Sequence, residues 1–511
     1  MNSCLGLVHR TLPRLLALFD TDSSRSSYGM GDRYHWAWGL IDFGNGTFQG
    51  AANGLARLVR EGLLPEGFDE AAILNRIDAM FVGADALRRR DGSLEEAFPY
   101  ESSYCVTALV AYDLLSAIEL LEQRVPSEER ELRMAIVRPM IACLCRSRET
   151  HAIISNHLGT AVAALVKWQK LSGEATDRFA RQALAVILEH QSEEGWFDEY
   201  GGADPGYQSL CTYYLADVHR MRPDLGLLEP LRRSLTFLWH FVHPDGSFGG
   251  LYGSRNTRFY YPAGVEYLAR EIPEAAALAK EMRSSVEQDR VVTLAAMDEA
   301  NLTPMFNAYC WAASIPAVEG DLPQLPCHGN PFRKHWPDAG IVIDRGINHY
   351  TVISTHKGGV CSHFVHGRRA RIDAGVLARD PRGVLFSSQI KRQSNPTEID
   401  GKRVEIRSSM RPVTRRRQTP LQFVALRLLN LSVMRNAWIR EKVKQWLVRR
   451  LIRGGERDSG QVHRVIEFGE NLSIVDRLDA PGLTKIEPAG EFVAIHMGSQ
   501  GYWQCQDDGE R

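Results

Sequence analysis

The sequence has no apolar run as long as the roughly 18 residues that a membrane-spanning helix needs. It has neither the paired CxxC motifs of a structural zinc site nor the GxxxxGKS/T pattern of a phosphate-binding loop. Its nine cysteines are an odd number and form no cluster, which favours reduced thiols over a disulfide framework. The first 22 residues lack an unbroken apolar stretch and a cleavage site, so we expect no secretory signal. These absences predict a cytoplasmic protein without a metal or another cofactor.

The chain also lacks an overall charge, since 61 basic residues face 62 acidic ones and leave a formal charge of −1. A whole-molecule field that would favour nucleic acid is therefore excluded. Residues 402–457 are the exception, with 16 lysines and arginines against 3 glutamates, a net charge of +13. With 511 residues, 44% of them hydrophobic, the chain is long enough for two packed domains.

The first 315 residues carry a weak internal repeat of helix, glycine turn, aromatic residue, polar loop and helix. The three clearest turns read Asp91-Gly92-Ser93-Leu94, Glu194-Gly195-Trp196-Phe197 and Asp245-Gly246-Ser247-Phe248. With three weaker copies, the second helix of each repeat begins near positions 45, 101, 155, 204, 255 and 302. Spacings of this size suit two helices and two connections. We predict an (α/α)-toroid of about six helical hairpins over residues 1–316, with the polar loops gathered on one rim.

Beyond the toroid the sequence pattern changes from helical to extended. Prolines crowd residues 317–337, which we predict to be a linker. Short β-branched or aromatic runs then follow, with the sequences AGIVIDRG, HYTVISTH, GGVCSHFVH, RVIEFG, LSIVDRL, EFVAIHM and GYWQCQ. The predicted fold class is therefore α+β, with an antiparallel β-sandwich over residues 338–511 after the toroid.

The basic segment 402–457 interrupts the predicted sandwich, and residues 421–452 have the pattern of basic amphipathic helices. Three interpretations are open for it: a solvated charged face, a surface for an anionic polysaccharide, or a helix that lies at a lipid boundary. On the last interpretation, the protein meets a lipid-linked glycan at the inner face of a membrane.

The rim sequence resembles the heparinase II/III-like proteins, a polysaccharide lyase family with a toroid and a β-sandwich. The resemblance rests on Ser155-Asn156-His157 at the start of a repeat helix, on Tyr207 in the next repeat, and on Trp336-Pro337-Asp338-Ala339-Gly340 before the first strand. It covers most of the chain loosely. It departs at Lys357-Gly358-Gly359-Val360-Cys361, where members of the family generally carry His-x-His-Ala-Asp.

The resemblance implies cleavage of a uronic-acid-containing polysaccharide by β-elimination, with four catalytic candidates. Asn156 would neutralise the substrate carboxylate without adding negative charge, and Arg255 would bind it with two hydrogen bonds. His157 is the candidate base, because histidine exchanges a proton near neutral pH. Tyr207, beside a cation, would pass a proton to the leaving oxygen. Four further rim residues are candidates for substrate binding: Tyr200, Tyr252, Glu101 and Trp196.

Each catalytic candidate has a plainer interpretation. Asn156 fits a helix N-cap, and His157 fits a solvent-facing position in a first turn. Tyr207 fits a core aromatic, and Arg255 fits a residue that orders its glycine-rich loop. Their position on one rim, in three consecutive repeats, favours the functional interpretation.

Two other functions remain open from the sequence. The chain could be a glycan-binding or scaffolding protein of polysaccharide assembly that has no catalytic activity. It could also be a glycoside hydrolase, because acidic residues at the rim could include a pair of catalytic carboxylates. Those acidic residues are Glu101, Asp198, Glu199, Asp204 and Asp245.

Overall fold

The computed structural model describes residues 3–97, 99–149, 152–413, 419–436, 438–440, 442–443, 458–487 and 491–494. Up to residue 313 the secondary structure is helical. The α-helices are α1 (Ser3–Leu16), α2 (Arg33–Trp36), α3 (Ala51–Arg60), α4 (Glu70–Leu87), α5 (Tyr104–Leu120), α6 (Ser127–Arg146), α7 (Ser155–Ser172), α8 (Asp177–Glu189), α9 (Pro205–Met221), α10 (Leu228–Leu238), α11 (Pro262–Leu268), α12 (Pro273–Glu287) and α13 (Glu299–Ala313).

Six of these helices form a closed inner ring. Helices α3, α5, α7, α9, α11 and α13 each pack against the next, and α13 packs back against α3. Helices α1, α4, α6, α8, α10 and α12 pack outside them. Position in the ring decides how much of each helix is buried. The inner helix α9 is buried on all sides, whereas the outer helix α8 buries only Ala180, Leu184 and Ile187 along one stripe.

The predicted starts of the inner helices agree with the structure to within three residues in four of six repeats, those of α5, α7, α9 and α13. The first inner helix, α3, begins at Ala51, six residues after its predicted position of 45, and follows a 3-10 turn at Gly46–Gly50. The fifth begins at Pro262, seven residues after its predicted position of 255. The delay arises because Asn256 has a φ of 60°, which a continuing right-handed helix cannot accommodate.

The second half of the chain is built from antiparallel strands. They are β1 (Phe332–Trp336), β2 (Ile341–Arg345), β3 (His349–Ser354), β4 (Val360–Val365), β5 (Arg368–Asp373), β6 (Leu377–Arg379), β7 (Leu385–Ser387), β8 (Thr397–Asp400), β9 (Arg403–Ser409), β10 (Arg411–Val413), β11 (Gln461–Glu467), β12 (Ser473–Asp479) and β13 (Thr484–Ile486). They form three sheets with the orders β1-β2-β3-β4-β5, β10-β7-β6-β13 and β12-β11-β9-β8. The predicted fold class, a helical toroid followed by an antiparallel β-sandwich, is confirmed.

The three central strands of the five-stranded sheet, β2, β3 and β4, are buried on both faces. Val342 and Ile353 pack against Val404 and Ile466 of the sheet that contains β9 and β11. The residues that alternate with them, including Ile343 and Val352, point the other way into the core of the toroid. Successive side chains along a strand point to opposite faces, so one face of this sheet packs in the sandwich and the other packs against the helical ring.

Parts of two predicted segments are wrong. Residues 403–413 of the predicted helical insert are strands β9 and β10, because Val404 and Ile406 are buried at alternate positions and β9 pairs with β8 and β11. In the described part of that insert, α14 covers Pro420–Leu431 and helical residues follow at 438–440 and 442–443, whereas all of residues 444–457 lie outside the described residues. Residues 332–336 of the predicted linker form β1, which pairs with β2 and buries only Trp336.

The last two predicted strands have different outcomes. Residues 491–494 form no strand, and their backbone instead bonds to the Gln389 side chain. The predicted run at 501–506 lies outside the described residues.

No helix in the described part of the chain has the length and apolar character needed to cross a membrane.

Candidate active site

Three consecutive rim loops of the toroid are hydrogen-bonded into one unit. The backbone N–H and the hydroxyl of Ser155 both donate to the carbonyl of Asp198, at 3.1 and 2.8 Å. The hydroxyl of Ser254 donates to the carbonyl of Glu199 at 2.9 Å, and its backbone N–H donates to the carbonyl of Ala203. The repeat therefore brings residues far apart in sequence to one place on the rim.

Asn156 is held by a buried carboxyl group. Its backbone N–H donates to Glu199 Oε1 at 2.9 Å, and its side-chain Nδ2 donates to Oε2 at 2.8 Å. The N-cap of α7 is Ile154, so the interpretation of Asn156 as an N-cap is wrong. Burial raises the pKa of the Glu199 carboxyl from 4.5 to about 8, although the hydrogen bonds from Asn156 oppose that rise. At neutral pH the Asn156 amide therefore faces a largely uncharged carboxyl group.

Arg255 is the most unusual residue of the rim. Its guanidinium carbon lies 3.9 Å from the centre of the Tyr200 ring and 5.6 Å from that of Tyr207. The residue is only 8% exposed, and neither Nε nor Nη1 has a hydrogen-bond partner within the described part of the chain. Buried guanidinium donors without acceptors are costly, which indicates a place for an acceptor that is not part of the protein.

Asp204 and Tyr200 fix the surroundings of Arg255. Asp204 caps α9 by accepting from the backbone N–H of Tyr207 at 3.2 Å, and it also accepts from the backbone N–H of Arg255 at 2.8 Å. Tyr200 has a φ of 58°, in the left-handed region that residues other than glycine rarely adopt. Such a backbone conformation is costly, and it presents the Tyr200 ring to the guanidinium.

Tyr207 lies in the first turn of α9 and packs edge-on against Phe259, with ring centres 5.3 Å apart. It is thus brought together with Arg255, Tyr200 and, through Glu199, Asn156. His157 follows Asn156 in α7, and its Nδ1 forms a hydrogen bond with Glu149 Oε2 at 2.8 Å. The structure gives His157 a carboxylate partner and no direct contact with Arg255.

Three predicted substrate-binding residues have hydrogen-bond partners inside the protein. Tyr252 is buried against Phe241 with its hydroxyl 2.9 Å from His243 Nε2, and Glu101 accepts from a backbone N–H of its own loop. Trp196 donates to Glu194, whose carboxylate also binds the backbone at residues 338–339 where the second domain begins. Each of the three therefore takes part in the protein's own packing, and a role for them in substrate binding stays a prediction.

Two lysines of the second domain reach the same rim, and neither is among the site residues that the sequence predicts. Lys391 donates to the carbonyl of Gly201, and Lys357 donates to three oxygens of the loop that contains Arg255. Each contact joins residues about 100 or more positions apart, so no local pattern could have indicated it. Within the described ranges, no group of three or more His, Cys, Asp or Glu side chains is arranged to hold a metal ion.

The raised pKa of Glu199 predicts a pH dependence of stability. The unfolded chain releases this proton near pH 4.5, whereas the folded protein keeps it up to about pH 8. Between these two pH values the folded protein binds one proton more than the unfolded chain. The free energy of unfolding should therefore be highest below pH 4.5 and should fall as the pH rises to 8, by up to about 1.4 kcal/mol per pH unit.

Chemical denaturation between pH 5 and 8 tests this expectation when wild type is compared with Glu199→Gln. The slope of unfolding free energy against pH should be shallower in the variant. It should not vanish, because burial also raises the pKa of Asp113 to about 8. Equal slopes would contradict a protonated Glu199.

No protein-family model matches the chain, and no curated protein sequence matches it. Solved structures do resemble it in fold. Heparinase III aligns with a TM-score of 0.50 and 9% identity over 92% of this chain and 79% of its own. The chondroitin AC lyase of Streptomyces coelicolor A3, solved in complex with chondroitin sulphate, aligns with a TM-score of 0.53 and 10% identity over 92% of this chain and 66% of its own. The chain thus spans slightly less than two thirds of the chondroitin lyase. At such identities the likeness establishes the fold alone, and that fold is the toroid with antiparallel sheets found in these polysaccharide lyases.

Proposed function

We propose that the chain is a polysaccharide lyase of the heparinase II/III-like kind that cleaves a uronic-acid-containing polysaccharide by β-elimination. In this reaction a base removes the proton at C5 of the uronate, next to its carboxylate. The electrons of that C–H bond form a double bond between C4 and C5. The C4–O bond breaks at the same time, and the leaving sugar oxygen takes up a proton.

The observation that carries the proposal is the buried guanidinium of Arg255 with two unused donors. Proton removal at C5 builds negative charge on the uronate carboxylate, so the site must supply donors to that group. A carboxylate matches the paired N–H groups of arginine in charge and geometry. Asn156 offers another donor, and this one is uncharged. Its side-chain amide has two N–H groups, and only one of them donates to Glu199.

Tyr207 is the group best placed to move the proton. Its ring lies beside the Arg255 guanidinium, which would also hold the carboxylate attached to the reacting carbon. His157, with its Glu149 partner, would serve on the outer side of the site as a second donor or base. Asn156, Tyr207 and Arg255 are each less than one-tenth exposed, so the rim loops must move to admit a sugar ring.

The test is turnover of a panel of acidic polysaccharides that contain different uronates, followed by the ultraviolet absorbance of an unsaturated uronate. We expect this absorbance to grow with at least one of them. New reducing ends without that absorbance would indicate a glycoside hydrolase instead. Saturable binding without any turnover would indicate a glycan-binding protein.

We further propose that helix α14 and the turn after it contact an anionic membrane, where a lipid-linked glycan would be met. Large apolar side chains stand in solvent along this segment, on more than one side of the helix: Leu421, Phe423, Val424, Leu426, Leu428, Leu431, Val433 and Trp438. An exposed apolar surface of this kind marks an interaction site. The basic surroundings, including Arg427 and Arg435, favour anionic lipid as the partner.

Sedimentation with liposomes tests this second proposal. We expect the protein to bind vesicles with anionic lipid, to bind less as salt rises, and to lose binding in the double variant Leu428→Glu and Leu431→Glu. These two side chains are 62% and 60% exposed, so the change should not unfold the chain. Val475→Glu, at an equally exposed position on β12, is the matched control and should bind as wild type does. No binding by wild type would contradict the membrane proposal.

A further inference from the structure

Lys357 crosses from the second domain into the toroid. It lies in the turn at residues 355–359 between β3 and β4, and it is 4% exposed. Its Nζ donates to the carbonyls of Leu251 and Gly253 and to the side-chain oxygen of Asn256. An ammonium group has three donors, and this one has three acceptors, all within residues 251–256.

The same loop carries the Arg255 guanidinium. On its toroid side, Asp204 accepts from the backbone N–H of Arg255 and from the hydroxyl of Thr257. On its other side, Lys357 donates to two carbonyls that precede Arg255 in the sequence and to the side chain of Asn256, which follows it. Asn256 has a φ of 60°, so the loop turns sharply at the residue whose side chain Lys357 holds.

Lys391 makes a comparable but weaker contact one repeat earlier. Its Nζ donates to the carbonyl of Gly201, next to Tyr200, whose ring lies under the guanidinium of Arg255. The second domain therefore contacts two neighbouring rim loops. Lys357 donates hydrogen bonds to three acceptors, and Lys391 donates to the carbonyl of Gly201.

We propose that Lys357 is a positioning residue that holds the 251–256 loop, and with it the Arg255 guanidinium, in the geometry needed to bind a substrate carboxylate. The role of the loop in binding rests on the proposed function, whereas the hold of Lys357 on the loop does not. A sugar ring can reach Arg255 only if the rim loops move, so Lys357 also sets how readily this loop opens.

Protonation should control this hold. Burial lowers the pKa of the Lys357 amine to about 7, Asp204 opposes that change and Lys391 adds to it. Below that pH the ammonium supplies all three hydrogen bonds. Above it the neutral amine has two donors, so one of the three oxygens loses its partner and the loop loosens.

Hydrogen exchange of the full chain tests the proposal without any substrate. Lys357→Met should lower the protection factors at residues 251–257 by about tenfold or more, the effect of losing one or more hydrogen bonds. Lys391→Met is the matched control and should loosen residues 198–202 instead. Unchanged protection at 251–257 in Lys357→Met would overturn the proposal.

Asn256→Asp gives a second test. It is needed if Lys357→Met also lowers the protection factors of α5, because that result would show general unfolding of the variant. The new carboxylate faces the ammonium and favours its charged form, so the pH at which the loop loses protection should move upward. A midpoint that stays in place or moves down would overturn the proposal. The two proposals can fail separately. If hydrogen exchange gives the expected pattern but the protein turns over no polysaccharide, Lys357 still holds the loop, and the proposed lyase activity is refuted.

Discussion

Replacing Tyr207 with phenylalanine is expected to lower the turnover number on a cleaved polysaccharide by a factor on the order of 10³, with little change in KM. The phenol would transfer the proton only in the transition state, so its loss should affect the rate rather than binding. The ring itself would remain packed edge-on against Phe259, so the fold should be unchanged. Steady-state kinetics with thermal unfolding of the same samples measures both effects.

Tyr214→Phe is the matched control for this variant. Tyr214 lies two turns further along α9, and its buried hydroxyl has no hydrogen-bond partner in the part of the chain that the structure describes. Removing that hydroxyl should leave the kinetics unchanged. Equal activity of Tyr207→Phe and wild type would remove Tyr207 from the proton-transfer role, and equal losses in both variants would point to a general disturbance of α9.

Lys167→Met is expected to destabilise the protein by about 3–5 kcal/mol. Lys167 on α7 is 2% exposed, and its Nζ lies 2.5 Å from Glu119 on α5 and 3.3 Å from Asp217 on α9. Burial alone would raise the pKa of Asp217, but Lys167 and Arg220 hold it below its usual value. Without the lysine, two carboxylates at the junction of three inner helices lose a buried cation.

Lys170→Met provides the comparison for this buried network. Lys170 lies one turn further along α7 and binds the same Glu119 at 2.6 Å, but its side chain is 51% exposed. An exposed ion pair contributes about 0–1 kcal/mol, so this variant should unfold close to wild type. Denaturant titration measures both values, and similar small losses would contradict the ring arrangement of α5, α7 and α9.

The sequence predicted the ring well because its signal is local and repeated. A glycine turn followed by a helix recurs at a nearly constant spacing, so the starts at Tyr104, Ser155 and Pro205 could be read from it directly. The strand β9 was missed for the opposite reason. Arginine and lysine dominate its surroundings, so residues 403–409 fall within the basic segment 402–457 that interrupts the predicted sandwich, although Val404 and Ile406 alternate as in a strand.

The site was predictable only in part. The repeat predicts that Asn156, Tyr207 and Arg255 share one rim, because each lies at a rim position of its own repeat, and their catalytic roles stay a prediction. Their partners depend on contacts between loops, such as the one between Asn156 and Glu199, which a single sequence does not encode locally. Lys357 was visible only as a departure from a family motif, and its role follows from packing between the two domains.

The central claim is elimination rather than hydrolysis, and cleavage in water enriched in oxygen-18 tests it most directly. The mass of each product end is measured by mass spectrometry after limited digestion of an active polysaccharide. Elimination keeps the original glycosidic oxygen on the leaving sugar. When the new reducing ends are reduced to alditols before their anomeric oxygen exchanges with water, we therefore expect no heavy oxygen in either new end and an unsaturated end that is lighter by one water. One heavy oxygen at a cleaved bond, with no unsaturated product, would contradict the account.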